Sequence, residues 1–248
     1  MSHGLRRIGW SALAASAAMA LVAGCGGSDG GGDGSRSIAL DFTAEDAPDA
    51  RGWEAGFADY AAEQDAIMEF ESGHEPLPGA LAGEGHGLLV GATNRSDDVF
   101  MYWTGPVQNL APETSYSVRF TVEFATDSPA GCAGIGGPPG EAVRVKSGIT
   151  TVRPEAELVG GDWRMNIDKG NQSTGGTDAI LIGNVANDES GCSAGERVWA
   201  LKTLQSDGAF VLNTDADGTA WLTVGTDSGF EGRTELYYTR IEAVLEPR

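Results

Sequence analysis

The chain has 248 residues and is strongly acidic, with 36 Asp and Glu against 16 Lys and Arg and a formal net charge of -20. Nucleic acid is excluded as a partner on charge, because such binding rests on Lys and Arg contacts to phosphate; anionic lipid is disfavoured except through an anchor. The acids are dispersed among strand-like stretches, as on the surface of a folded body rather than in a disordered tail, and divalent cations are the one partner class that the charge favours.

Residues 1–24 carry Arg6 and Arg7 and then an apolar run from Ile8 to Ala23, the order of a secretory signal peptide. The run is short for a spanning helix, which needs about 20 apolar residues. It ends in Val22-Ala23-Gly24-Cys25, which resembles the lipobox of bacterial lipoproteins. The resemblance implies that Cys25 is acylated, with palmitate-type chains, and becomes the mature amino terminus. The implied partner is the lipid bilayer and the implied location the cell envelope. Gly26 after the cysteine, where aspartate would retain the protein, is compatible with the outer membrane if the cell has one. Residues 25–37 form the lipidated cysteine and a Gly/Ser/Asp linker, a flexible tether of about 20 Å root-mean-square.

Residues 38–248 are of a length for one large β domain. Strand-like stretches follow in order: "SIALDF", "GLLVGAT", "VFMYWT", "YSVRFTVEFA", "AVRVKSGITTV", "WRMNID", "AILIGNV", "RVWALKTL", "AFVLNT", "AWLTVGT" and "ELYYTRIEAVL". In the fourth, Tyr116, Val118, Phe120, Val122 and Phe124 alternate strictly with Ser117, Arg119, Thr121 and Glu123, the pattern of a half-buried strand. Gly- and Pro-rich turns separate the stretches, and one brief helix is expected around Ala61 to Ile67. The pattern predicts an all-β fold, a jelly-roll β-sandwich. With Cys25 acylated, Cys132 and Cys192 remain as an even pair in an oxidising compartment and are expected to form one disulfide.

The strings "IALDF", "ARGWEAGFADY", "VQNLAPETSYSVRFTVEF" and "TELYYTRIEAVL" resemble the galactose-binding-like jelly roll of many carbohydrate-binding modules. The chain as a whole also resembles a group of uncharacterised bacterial lipoproteins through "NRSDDVFMY" and "DKGNQSTGG". The first resemblance implies a glycan ligand. It also implies a structural calcium held by an acid near the start of the closing strand, where this chain has Thr239 and Arg240, with Glu242 offset.

Three sets of residues are candidates for binding. Alternation turns Arg119 and Glu123, Arg144 and Lys146, and Arg164, Asn166 and Asp168 to the polar faces of three strands. If those strands share a sheet, the seven side chains form one ligand-binding face; the plainer expectation is a solvated face with cross-strand ion pairs. The "IDKGNQSTGG" loop adds Lys169, Asn171, Gln172 and Ser173. Asn94, Asp97 and Asp98 offer oxygen ligands suited to a hard cation such as calcium, although turn-capping explains them as well. No catalytic residue stands out, since His74 and His86 lie in connections without a nucleophile motif. The leading expectation is a membrane-anchored, non-catalytic, glycan-binding lipoprotein. The alternative is an envelope hydrolase acting through paired carboxylates, calcium-dependent in one form.

Overall fold

The computed structural model describes residues 34–95 and 98–248. The signal peptide, Cys25, most of the tether and Asp97 lie outside the described residues. Fifteen strands follow one another in the described chain: β1 (Arg36–Asp41), β2 (Glu54–Ala58), β3 (Tyr60–Ala61), β4 (Glu71–Pro76), β5 (His86–Thr93), β6 (Phe100–Val107), β7 (Ser115–Thr126), β8 (Val143–Thr150), β9 (Ala156–Val159), β10 (Asp162–Met165), β11 (Ile180–Asn184), β12 (Ala200–Gln205), β13 (Phe210–Asn213), β14 (Ala220–Ser228) and β15 (Arg233–Pro247). The first begins at Arg36, two residues inside the stretch read as linker. The brief helix is a 3-10 segment, Ala62–Ile67.

Two antiparallel sheets make the sandwich. One has seven strands, in the order β12-β7-β15-β5-β4 with β13 beside β7 and β1 beside β15; the other has five, in the order β11-β8-β14-β6-β2. Successive long strands change sheet: β5 is in the first, β6 in the second, β7 in the first, β8 in the second, and β14 and β15 again divide. That wrapping is the jelly roll expected from the strand pattern. Val118, Phe120, Val122 and Phe124 of β7 meet Met101, Val143, Val145, Leu222 and Val224 of the opposite sheet in one continuous core, each large side chain contributing about 1.5–3 kcal/mol by leaving water.

The closing strand shows how the alternation is managed. Leu236 and Tyr238 point into the core, then the register shifts between Tyr238 and Arg240, and Ile241, Ala243 and Leu245 point inward instead. Thr239 is the extra residue of this bulge, and its hydroxyl donates to Glu123 Oε1 at 2.8 Å.

Four strands were not apparent in the sequence: β2, β3, β4 and β9. Strand β4, Glu-Ser-Gly-His-Glu-Pro, has little intrinsic β preference and exists as the sheet edge because β5 offers it a ladder. Strands β3 and β9 join β10 in a third, three-stranded sheet, which covers part of the outer face of the five-stranded sheet.

A disulfide joins Cys132 to Cys192 across 60 residues of sequence, tying the β7–β8 loop to the β11–β12 loop. In the chain-entropy treatment a loop of that length is worth about 4 kcal/mol. The double variant Cys132→Ser/Cys192→Ser is therefore expected to lose stability of that order in equilibrium denaturant unfolding, with its far-UV circular dichroism still that of a β protein.

Candidate functional site

Strand β8 was expected to bury Val143 and Val145 and to show Arg144 and Lys146 to solvent. Lys146 is instead fully buried, with its side chain 0 % exposed. The reason is a second layer. Beyond the core-facing side of the five-stranded sheet, its outer side is roofed by the three-stranded sheet, where Ala156 and Met165 pack on Ala58, Phe100 and Tyr102. The 166–179 loop continues that roof over β8. Gly148 permits the close approach: a Cβ there would collide with the Asp178 carbonyl.

Under the roof lies a five-membered charge cluster. Lys146 Nζ donates to Asp227 Oδ2 at 2.8 Å and to the carbonyls of Lys169 (2.9 Å) and Asn171. Lys169 Nζ lies 2.6 Å from the same Asp227 oxygen and 2.7 Å from Asp59 Oδ2, above the Phe100 ring. Asp59 sits at φ 63, a left-handed conformation that Asp tolerates better than most residues. That kink lets the chain leave β2 for β3, with Asp59 N donating to the Trp163 carbonyl at 2.7 Å.

The fifth member is Asp98. Burial raises its pKa to about 7, and the neighbouring Asp227 carboxylate adds to the effect. Asp98 Oδ1 and Asp227 Oδ1 are the two carboxylate oxygens of the cluster that no N–H or O–H donor reaches. A proton held by Asp98 and donated to Asp227 satisfies both. The cluster then has two carboxylates and two ammoniums and is neutral, the condition under which buried charge is tolerated. Burial pulls the Lys146 pKa down despite Asp227. It also acts against the Lys169 ammonium, but Asp227 and Asp59 together outweigh it and raise that pKa.

The ligand face expected across three strands does not exist. Arg119 and Glu123 belong to the seven-stranded sheet, Arg144 and Lys146 to the five-stranded sheet and Arg164 to the three-stranded sheet. Strand β10 ends at Met165, so Asn166 and Asp168 are loop residues. On the seven-stranded sheet Arg119 pairs with Glu246 at 3.0 Å and Glu123 with Arg240 at 2.7 Å, an ion-paired outer surface. Arg164 pairs with Asp162 at 2.6 Å.

The "IDKGNQSTGG" loop spends much of its polarity on itself. Asp168 accepts from the backbone of Thr177 (2.9 Å) and Gly170 (3.0 Å), which holds its pKa below the ordinary value. Asn171 Oδ1 accepts from Ser173 and Thr174, both backbone N–H groups at 3.0 Å. Asn166 closes the base of the turn, accepting from Glu155 N and donating to the Arg153 carbonyl. Gln172 lies against Gly229. These contacts build a pad that turns inward the Lys169 side chain and the Lys169 and Asn171 carbonyls that receive Lys146.

Of the calcium candidates, Asp97 lies outside the described residues. Asn94 is buried, and its amide nitrogen donates to the carbonyls of Ser228 (2.9 Å) and Phe230 (3.1 Å), while Asp98 faces Asp227. At the start of the closing strand the positive charge is already supplied, since Arg240 lies 3.1 Å from Asp41 and 2.7 Å from Glu123. Among the described residues no group of three or more His, Cys, Asp or Glu side chains is arranged to hold a metal.

Where the roof stops, Tyr102 and Thr104 on the outer face of the five-stranded sheet are still only 4 % and 2 % exposed. An accessible groove of about 260 Å³ lies between Glu54, Tyr102, Thr104, Arg153 and Glu155. Arg153 bridges its two acidic walls, touching Glu54 and lying 3.2 Å from Glu155, and its guanidinium covers the Trp221 ring at 5.1 Å. Burial pushes the Tyr102 phenol up to about 12, so it remains a neutral hydroxyl. Sequence alternation would have put Tyr102 and Thr104 on one face and Trp221 and Thr223 on another; that β6 and β14 pair, Thr104 with Thr223, is long-range information.

No protein-family model matches the chain, and no curated protein matches it by sequence. Several solved structures share its general outline. A xylan-binding CBM22-1 domain from Paenibacillus barcinonensis Xyn10C is 10 % identical with a TM-score of 0.34, over 85 % of this chain and 94 % of that one. TmCBM27, a carbohydrate-binding module described for specific mannan recognition, is 10 % identical with a TM-score of 0.38, over 85 % of this chain and 98 % of that one. The enzymatically active domain of bacteriophage CBA120 tailspike protein 4 is 8 % identical with a TM-score of 0.34; the match covers 77 % of this chain and 19 % of that one. Likeness at this level assigns no ligand, and the architecture rests on the chain's own ladders.

Asp98 has a pH signature. The unfolded chain releases its proton near the ordinary value of 3.8 and the folded chain only near pH 7. Between those values the unfolded state binds fewer protons, so this group makes stability fall as pH rises, and the contribution is flat outside the window. Thermal unfolding from pH 4 to 8 should show this component in the wild type and lose it, up to one proton's worth of slope, in Asp98→Asn.

Proposed function

We propose that this chain is an exported, acyl-anchored module of the cell envelope that binds glycan without turning it over. The observation that carries the reading is the open groove on the five-stranded sheet, with Tyr102 and Thr104 along the floor and Arg153 set between Glu54 and Glu155. A short groove walled by fixed donors and acceptors, with aromatic surface alongside, suits a polyhydroxylated ligand of one or two rings, which offers hydroxyls at its edge and C–H surface on its face. The polar groups are pre-arranged by their own ion pairs, which lowers the ordering cost of binding.

Two features favour binding over hydrolysis. Glycoside hydrolysis needs one carboxyl held protonated in an apolar setting beside a second carboxylate. Glu54 and Glu155 have side chains 58 % and 52 % exposed and share one guanidinium. The anchor reading rests on the lipobox-like Val22-Ala23-Gly24-Cys25. It is compatible with the position of β1, which enters the fold in the seven-stranded sheet, the one opposite the groove.

On a glycan array the purified domain is expected to retain neutral oligosaccharides without releasing product, and Arg153→Ala combined with Trp221→Ala should weaken retention at least tenfold, about 1.4 kcal/mol. Absence of retention, or a turnover that Glu54→Gln or Glu155→Gln abolishes, would sink the binding reading. For the anchor, the cell-made protein should take up labelled palmitate and sediment with membranes, and Cys25→Ser should do neither.

A further inference from the structure

We propose that Lys146 and Asp227 are joined by an intramolecular isopeptide bond that the folded chain forms unaided, with Asp98 relaying the protons. The pair is held at contact by the sheet itself. Strands β8 and β14 run side by side with Lys146 opposite Gly225 and Asp227 opposite Arg144, so the two side chains are diagonal neighbours on one face. Both are 0 % exposed, and Nζ lies 2.8 Å from Oδ2. Reactants fixed in this way behave as if at enormous concentration.

Burial also changes the thermodynamics. In water an ammonium and a carboxylate are stabilised by hydration, and condensation to an amide forfeits that. Here the hydration has already been lost on folding, and a neutral amide replaces two desolvated charges.

The surroundings divide the roles. Lys169 is held between two carboxylates, Asp227 and Asp59, which stabilise its ammonium. Lys146 faces one carboxylate and directs its other two N–H groups to the carbonyls of Lys169 and Asn171, so the position that becomes a lone pair on deprotonation points at Asp227. Its lowered pKa makes the free amine easier to reach. Oδ2 of Asp227, 2.6 Å from the Lys169 ammonium, is placed to carry negative charge, as in an oxyanion site. Oδ1 is otherwise partnerless and meets Asp98.

The step balances without any further reagent. Asp98 gives its proton to Oδ1 and takes one from Nζ. The amine lone pair then attacks Cγ, and Oδ2 becomes the oxyanion. Asp98 delivers its proton to Oδ1 and receives a second from Nζ; the Cγ–Oδ1 bond breaks and water leaves. Ammonium and carboxylate have become amide and water, one hydrogen stays on nitrogen, and Asp98 ends protonated as it began.

The test is mass spectrometry of the full-length secreted protein, digested with trypsin after its disulfide is reduced and alkylated. The expected result is that Lys146 is left uncut, within a branched species joining its peptide to the one that holds Asp227, lighter by one water than the two separate peptides. Lys146→Arg keeps the charge and Asp98→Asn keeps a hydrogen-bond donor for Asp227, and both should give separate, full-mass peptides from a protein with wild-type circular dichroism. Separate full-mass peptides from the wild type overturn the proposal irrespective of how the variants fold, and a branch that starts at Lys169 overturns the choice of nucleophile.

Discussion

The domain depends on neutralising two lysines inside a β-sandwich. Lys146 and Lys169 share Asp227, Asp59 takes the second bond of Lys169, and Asp98 beside Asp227 keeps its proton until the pH approaches about 7. Removing any one of the charged members would leave an uncompensated ion out of water, a loss of about 3–5 kcal/mol by analogy with other buried pairs. The balanced set lets the five-stranded sheet be covered on both faces. Its inner face makes the core with the seven-stranded sheet, and its outer face accepts the 166–179 pad and the three-stranded sheet. The pad buries little apolar surface of its own, Ile167 and Ala179 apart, and the charge cluster is what fastens it.

The same arrangement divides the molecule's surfaces into different kinds. The outer face of the seven-stranded sheet is a lattice of exposed ion pairs, Arg119 with Glu246 and Arg240 with Asp41 and Glu123, of the kind that contributes little energy. The outer face of the five-stranded sheet is buried and charged at the Asp227 end and, at the Thr104 end, lies beneath a groove walled by Glu54, Arg153 and Glu155. Both proposals draw on that face: the buried charge cluster, and beside it the groove.

Much of the sandwich was legible in the sequence because alternation in strands such as Tyr116 to Phe124 reports directly which residues face the core. The Cys132–Cys192 bond was legible by elimination. What alternation does not report is what covers the other face. Lys146 reads as a solvent-facing residue between Val145 and Ser147, and only the pairing of β8 with β14 and the folding-over of residues 156–179 show that it is interior. The polar residues of "DKGNQS" drew notice for the right reason, an excess of hydrogen-bonding groups, but those groups close a turn and seal a cluster. Strands β2 and β3 escaped notice because such short segments take their conformation from partners distant in sequence; β9 is instead half of a local hairpin with β10 across Gly160-Gly161, and its exposed Leu158 and Val159 hide the usual alternation.

The roof that hides the charge cluster also sets the geometry of anything lodged beside it. A groove that crosses a whole sheet can thread a polymer at any point along its length. This one is blocked by the first residues of β9, where Ala156 packs on Tyr102 and Phe100, so under the proposed glycan-binding reading a polysaccharide entering from the Thr104 side would meet a wall. On that reading such a blind alley would select termini over internal segments, and the number of attachment points on a polymer would scale with its count of free ends rather than with its total length.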